Sequence, residues 1–80
     1  MNDLTEGLVT VMAYVRMRNT QNDRVALWDG ATRDRQNCDR ELWAWCNVED
    51  IANFDELQVR GKEPQKIQLP EWLAERLNLI

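Results

Sequence analysis

Between Val9 and Met17 every second residue is apolar: Val9, Val11, Ala13, Val15 and Met17. Successive side chains of an extended chain point to opposite faces, so this spacing puts all five on one side of a strand. The interleaved Thr10, Met12, Tyr14, Arg16 and Arg18 make a mixed face suited to partial exposure. An apolar run of this length also admits a helix by pattern alone. The β-branched and aromatic content decides for strand, as does the polar stretch Asn19–Asp23 behind it, which is built of turn formers. Arg24–Asp29 alternates again, with Val25 and Leu27 against Ala26 and Trp28, and Asp29-Gly30 ends it. Residues 8–29 are therefore expected to be a β-hairpin against which the rest of the chain packs.

A chain of 80 residues has room for one core, so residues 1–80 are expected to be a single small domain. Its four Trp, each able to bury ~150–250 Å², supply much of the apolar surface. Residues 1–7 are a polar lead-in expected to fray. Ala31–Asp39 is polar and aperiodic and reads as an exposed connection. A third strand is expected over 41–46, with Leu42, Ala44 and Cys46 on one face and Trp43 and Trp45 on the other. Neither face is polar, so both are expected to be partly covered. Residues 47–53 read as a tight helical turn, with Val48 and Ile51 plugging one end of the sheet. Strands over 54–60, with Leu57 and Val59 inward, and over 66–69, with Ile67 and Leu69 inward, flank a turn at Gly61–Pro64.

Pro70 opens a helix over 70–77, because Pro suits a first helical position and Glu71 behind it complements the helix dipole. Leu73 and Leu77, with Trp72, form its apolar stripe, and Leu79 and Ile80 are expected to dock on the sheet. The expected core is Val9, Val11, Val15, Val25, Leu27, Leu42, Ala44, Ile67, Leu69, Leu73 and Leu77. The fold class is mainly β (α+β): a small antiparallel sheet rolled into an SH3-like or OB-like barrel, with one short carboxyl-terminal helix.

The ending QLPEWLAERLNLI resembles that of a group of small phage proteins of unestablished function, which close on an "LPEWLA…GLI" phrase. In that group a strand hairpin and a "VW-LP" strand come before it, as Val25–Gly30 and Glu41–Ala44 do here. Trp45 and Cys46 stand where the group tends to have Pro and Lys, and Asn78 stands near its usual Gly. The resemblance implies a phage or prophage origin and a small β-barrel, and assigns no site residues.

The residue types present narrow the chemistry. The sequence has no serine and no histidine, which removes Ser-His-Asp and Cys-His nucleophiles and the commonest general base. Gly7, Gly30 and Gly61 lie too far apart for a phosphate-cradling loop. Two thiols, Cys38 and Cys46, make no ordinary zinc site without further Cys or His, and free thiols are expected of a reducing compartment. Adjacent acids such as Glu49/Asp50 and Asp55/Glu56 are more often solvated than catalytic. No enzyme, cofactor or metal site is therefore expected. No stretch is apolar enough for a membrane span or a signal peptide, which points to a cytoplasmic protein, in the host cell if phage-encoded.

Charge patterning carries more. From Glu41 to Val59 there are five acids and no bases, whereas Arg16–Arg40 holds six Arg and four Asp, and the net charge is −4. The leading expectation is a non-catalytic protein-binding module, a phage accessory or host-inhibitory protein. Glu49, Asp50, Phe54, Asp55 and Glu56 would be its contact surface and Trp43 or Trp45 its anchor, since hot spots favour Trp. The second is a single-stranded nucleic-acid binder using Tyr14, Arg16, Arg18 and Trp28, against which the negative charge argues. The third is a self-associating structural protein, paired through strand edges or the Trp face.

Overall fold

In the computed structural model, which describes residues 7–80, the alternating opening segment is one long strand, β1 (Leu8–Asn19). The lead-in expected before it lies, Gly7 apart, outside the described residues. β1 turns back through Thr20–Asp23 into β2 (Arg24–Trp28). The Asn19 side-chain oxygen accepts from the N–H groups of Gln21 (3.0 Å) and Asn22 (3.4 Å), the local bonding that makes Asn a turn former. β3 (Ala44–Asn47) pairs antiparallel with β2, and β4 (Gln65–Pro70) pairs antiparallel with the other side of β1. The strand order is β3-β2-β1-β4. Two single 3-10 turns, Val48–Asp50 and Phe54–Glu56, lead from β3 to β4, and the helix α1 (Glu71–Arg76) follows β4 and packs over β1 and β4.

One face of this sheet is the core. Val11, Ala13 and Val15 of β1 meet Val25 and Leu27 of β2, Cys46 of β3 and Ile67 and Leu69 of β4. Leu73 and Ala74 of α1 cover them, and Val48 and Ile51 close one end as expected. Val9, Phe54, Leu57, Leu77 and Leu79 pack partly buried at the margin. The period-two face of β1 is thus part of the centre of the core, because β1 and β2 are the two inner strands, each with a neighbour on either side.

Four differences from the expectations have physical causes. The sheet is open, so the rolled barrel is present only as four strands whose outer edges, β3 and β4, are not bonded to each other. The strand expected over 54–60 is a 3-10 turn followed by irregular chain. The chain from Ala52 to Gln58 bonds to β4 through one backbone N–H and side-chain amides instead of a ladder. Ala52 N–H donates to Gln68 O (2.7 Å), Asn53 Oδ1 accepts from Gln68 N–H (2.9 Å), and Asn53 Nδ2 donates to Lys66 O (2.9 Å). Gln65 likewise uses its side-chain amide on the backbone of Gln58, both bonds 2.8 Å. Third, pairing in β3 starts only at Ala44, so Leu42 has no strand beside it and is exposed. Fourth, the inward stripe of α1 is Leu73, Ala74 and Leu77, and Trp72, one residue round the helix, faces solvent.

The chain end is set by the helix cap. Leu79 N–H donates to Ala74 O (2.9 Å) and Asn78 N–H to Glu75 O (3.1 Å), with Asn78 in the left-handed region at φ 60. That is the Schellman arrangement, in which Gly or Asn avoids the Cβ clash. It tucks Leu79 against the core and leaves Ile80 exposed, where both were expected to dock.

Two substitutions test these devices. Asn53→Ala removes both amide bonds and strands Gln68 N–H and Lys66 O, so chemical denaturation should show a loss of about 2–4 kcal/mol. Asn78→Gly relieves the left-handed residue and should raise stability by about 0.5–1 kcal/mol in the same measurement.

Candidate interaction surface

A bulge in β1 decides which side chains meet on the sheet's other face. Tyr14 pairs with Trp28 and Val15 with Leu27, but the next pairs are Met17 with Ala26 and Arg18 with Val25. Arg16 is the extra residue, and the alternation changes phase there. Directly paired residues share a face, so Met17 lies with Ala26 on the outer side and Arg18 lies with Val25 on the core side. Arg18 stacks its guanidinium on the Phe54 ring (5.0 Å) and pairs with Asp23 (2.6 Å). The expected grouping of Tyr14, Arg16 and Arg18 on one side is therefore divided by the bulge.

Tyr14, Arg16 and Trp28 do come together. The two rings stand 5.3 Å apart with a 41° tilt, and the Arg16 guanidinium lies 4.7 Å from the centre of Tyr14 and 4.9 Å from that of Trp28. Chain 29–43 folds back over them. Asp29 begins the turn: its carboxylate accepts the N–H groups of Ala31 and Thr32 (2.8 Å each) and the Thr32 hydroxyl. Burial alone would raise its pKa, and these bonds together hold it below the usual carboxylate value. Gly30 adopts φ 90, and a Cβ there would stand 3.1 Å from the Tyr14 ring, so both conformation and space call for Gly. Trp28 Nε1 donates to Thr32 O (2.9 Å), and Arg33 lies 4.8 Å from the Trp28 ring.

Glu41 closes the cluster. Its carboxylate receives Arg16 Nε (2.9 Å) and Nη2 (2.8 Å) as a two-pronged pair, and Trp43 Nε1 donates to the same group (2.9 Å). The Trp43 hydrogen bond and then the Arg16 contacts hold the Glu41 pKa below its ordinary value. Trp28 is left 6% exposed, its faces taken by Tyr14 and two guanidinium groups.

The other aromatics of the loop and β3 face outward. Trp43 and Trp45 are each 37% exposed, and with Leu42 they border a groove of about 530 Å³ that Asp34, Asp39, Arg40 and Glu41 also line. Asp34 and Asp39 are site residues that sequence reasoning missed; their turn-forming role, with Asp34 Oδ1 accepting Gln36 N–H (2.8 Å), hid them in a polar loop. Glu49 and Asp50 sit in the 3-10 turn directly after β3, and Asp50 lines a pocket together with Trp45. Phe54, Asp55 and Glu56 sit in the second turn, with Phe54 half-buried beneath Arg18 and the two acids exposed. The seven residues expected as one contact surface thus fall into two groups, one along β3 and one beside β1 and β4.

Reactive groups are few. Cys38 is exposed and Cys46 buried, and both are free. Burial, aided by Asp50, pushes the Cys46 thiol up to about 11, so it is protonated and inert at neutral pH. Among the described residues no three Cys, Asp or Glu side chains gather as a metal site. Comparison with protein-family models, with curated proteins and with solved structures finds no match.

The depressed Glu41 pKa has a signed consequence. Its stabilising contribution is present above the ordinary glutamate value and is lost as pH falls through the folded-state value. Glu41→Gln should therefore lower stability near neutral pH and flatten the acid limb of a stability–pH curve followed by Trp fluorescence.

Proposed function

We propose that this chain is a non-catalytic protein-binding module whose contact surface is the β3 side of the molecule. The observation that carries the reading is the exposure of Trp43 and Trp45 beside the carboxylates of Asp34 and Asp39, in a domain that buries Trp28. Exposed Trp in a small fold adds a solvation cost that an interface removes, and Trp is the residue type on which interface energy concentrates. The acidic lining steers such a surface toward a basic partner. The resemblance of the QLPEWLA ending to phage proteins supports a phage or prophage accessory role in the host cytoplasm, acting on a host protein. The covered faces of Trp28 and the Arg16–Glu41 pair count against stacking of nucleic-acid bases there.

The test is capture from host lysate by the tagged chain, with cross-links mapped by mass spectrometry. A stoichiometric protein linked next to Trp43 or Trp45, and lost with Trp43→Ala/Trp45→Ala, is the expected result. Recovery of no such protein overturns the reading. Titration with a single-stranded oligonucleotide at low salt should leave Trp fluorescence flat.

A further inference from the structure

The two exposed indoles beside the groove are held in different ways. Trp43 Nε1 donates to Glu41 Oε1 (2.9 Å), so its ring is tethered. Glu41 is fixed at both of its ends. Its backbone forms the isolated bridge to Arg33, and the next residue, Leu42, donates its N–H to Thr32 O (3.1 Å). Its carboxylate takes the Arg16 fork, with Nε on Oε1 at 2.9 Å and Nη2 on Oε2 at 2.8 Å. One oxygen atom, Oε1, therefore accepts both the guanidinium and the indole and sets the two relative to each other. Arg16 is confined in turn, with its guanidinium 4.7 Å from the centre of the Tyr14 ring and 4.9 Å from that of the buried Trp28. A chain of restraint thus runs from the hairpin to the Trp43 ring, which still borders the groove. Trp45 has no such chain. Among the described residues only the indoles of Trp28 and Trp43 have acceptors, and the residue paired with Trp45 across the ladder is Ala26, whose methyl group offers the ring no hydrogen bond.

We propose that Trp43 is the preset anchor of the contact surface, positioned by Glu41 and Arg16, and that Trp45 is the adaptable contact beside it. This rests on the protein-binding reading and specifies which indole a partner meets already in place. Ordering a free side chain at an interface lowers affinity by about two- to twelvefold, and a ring already tethered avoids that loss. Recognition surfaces combine rigid aromatic anchors with adaptable contacts in this way. Arg16 does not line the groove, so it acts only through Glu41. Its shape matters as well as its charge. A planar guanidinium fixes the direction of a carboxylate through two parallel bonds, whereas a lysine ammonium on a flexible stem does not.

The experiment uses the full chain, labelled with nitrogen-15, with its four indole N–H signals assigned by replacing each Trp with Phe in turn. In the free protein the Trp43 signal should show the heteronuclear NOE of the sheet backbone and slow exchange with water. The Trp45 signal should show a lower NOE and fast exchange. Arg16→Lys keeps the charge and removes the fork. It should bring the Trp43 signal to the mobility of Trp45 while the ladder between β2 and β3 keeps its protection from exchange, a pattern that general loss of structure does not give. Glu41→Ala should release the same ring with Arg16 left on its aromatic neighbours, and serves where Arg16→Lys disturbs β1. Affinity for the cross-linked lysate partner is then compared between matched variants. Trp43→Phe keeps a ring and loses the bond to Glu41, and Trp45→Phe makes the same change in size with no bond to lose. Trp43→Phe and Arg16→Lys should each weaken binding by about threefold or more, and Trp45→Phe by less. A Trp43 indole as mobile as that of Trp45, or one that neither Arg16→Lys nor Glu41→Ala releases, overturns the proposal. So does a partner that loses as much affinity with Trp45→Phe as with Trp43→Phe. A rigid Trp43 in a chain that captures no partner rejects the binding reading and leaves the positioning of Trp43 by Glu41 standing.

Discussion

The pair between Arg16 and Glu41 ties β1 to the chain between β2 and β3, whose one ladder contact is the isolated bridge between Arg33 and Glu41. Both side chains are about three-quarters covered, at 23% and 27% exposure, and the two bonds form a planar fork. Charge-assisted bonds of this kind are worth about 1.5–3 kcal/mol each, more than an exposed ion pair. With Glu41 held, Trp43 Nε1 has a fixed acceptor and the chain enters β3 in register beside Ala44. The fold-back over Tyr14 and Trp28 is also held by the Asp29 turn, the Trp28–Thr32 bond, Arg33 over the Trp28 ring and the Leu42 N–H bond to Thr32 O (3.1 Å). The position of the exposed Trp pair therefore depends on a side chain that the bulge keeps on the outer face.

Edge management gives the molecule its polarity. Side-chain amides are short and fixed in direction, so Asn53 and Gln65 satisfy backbone groups near the β4 side without adding a strand that could itself be extended. Nothing equivalent is spent on β3, where aromatic and acidic residues gather instead. Most outward backbone groups of β4 are taken, whereas β3 is an edge strand with exposed aromatic area beside it.

The hairpin and the two short core segments Ile67–Leu69 and Leu73–Leu77 were legible because burial imposes a period on them. Val11, Val15, Val25, Leu27, Ile67 and Leu69 all lie where alternation places them. The strand expected over 54–60 rested on Leu57 and Val59 alone, and two apolar residues cannot distinguish a strand from coil that touches the core once. The bulge was invisible because Arg16 and Arg18 fit the exposed phase of a regular strand equally well. Of the candidate residues, Trp43 and Trp45 were singled out by type, whereas Asp34 and Asp39 looked like ordinary turn residues.

Sequence alone determined that β1 is a core strand, that it is one arm of a hairpin, and that a helix opens close to Pro70, because these depend on residue type and short-range periodicity. Only the tertiary structure decided that the sheet stays open, that Arg18 leaves the company of Arg16, that Trp28 is enclosed while Trp43 and Trp45 are not, and that β3 keeps an unpaired edge. Those outcomes depend on which distant groups satisfy one another's hydrogen bonds and charges, and no local pattern encodes that choice.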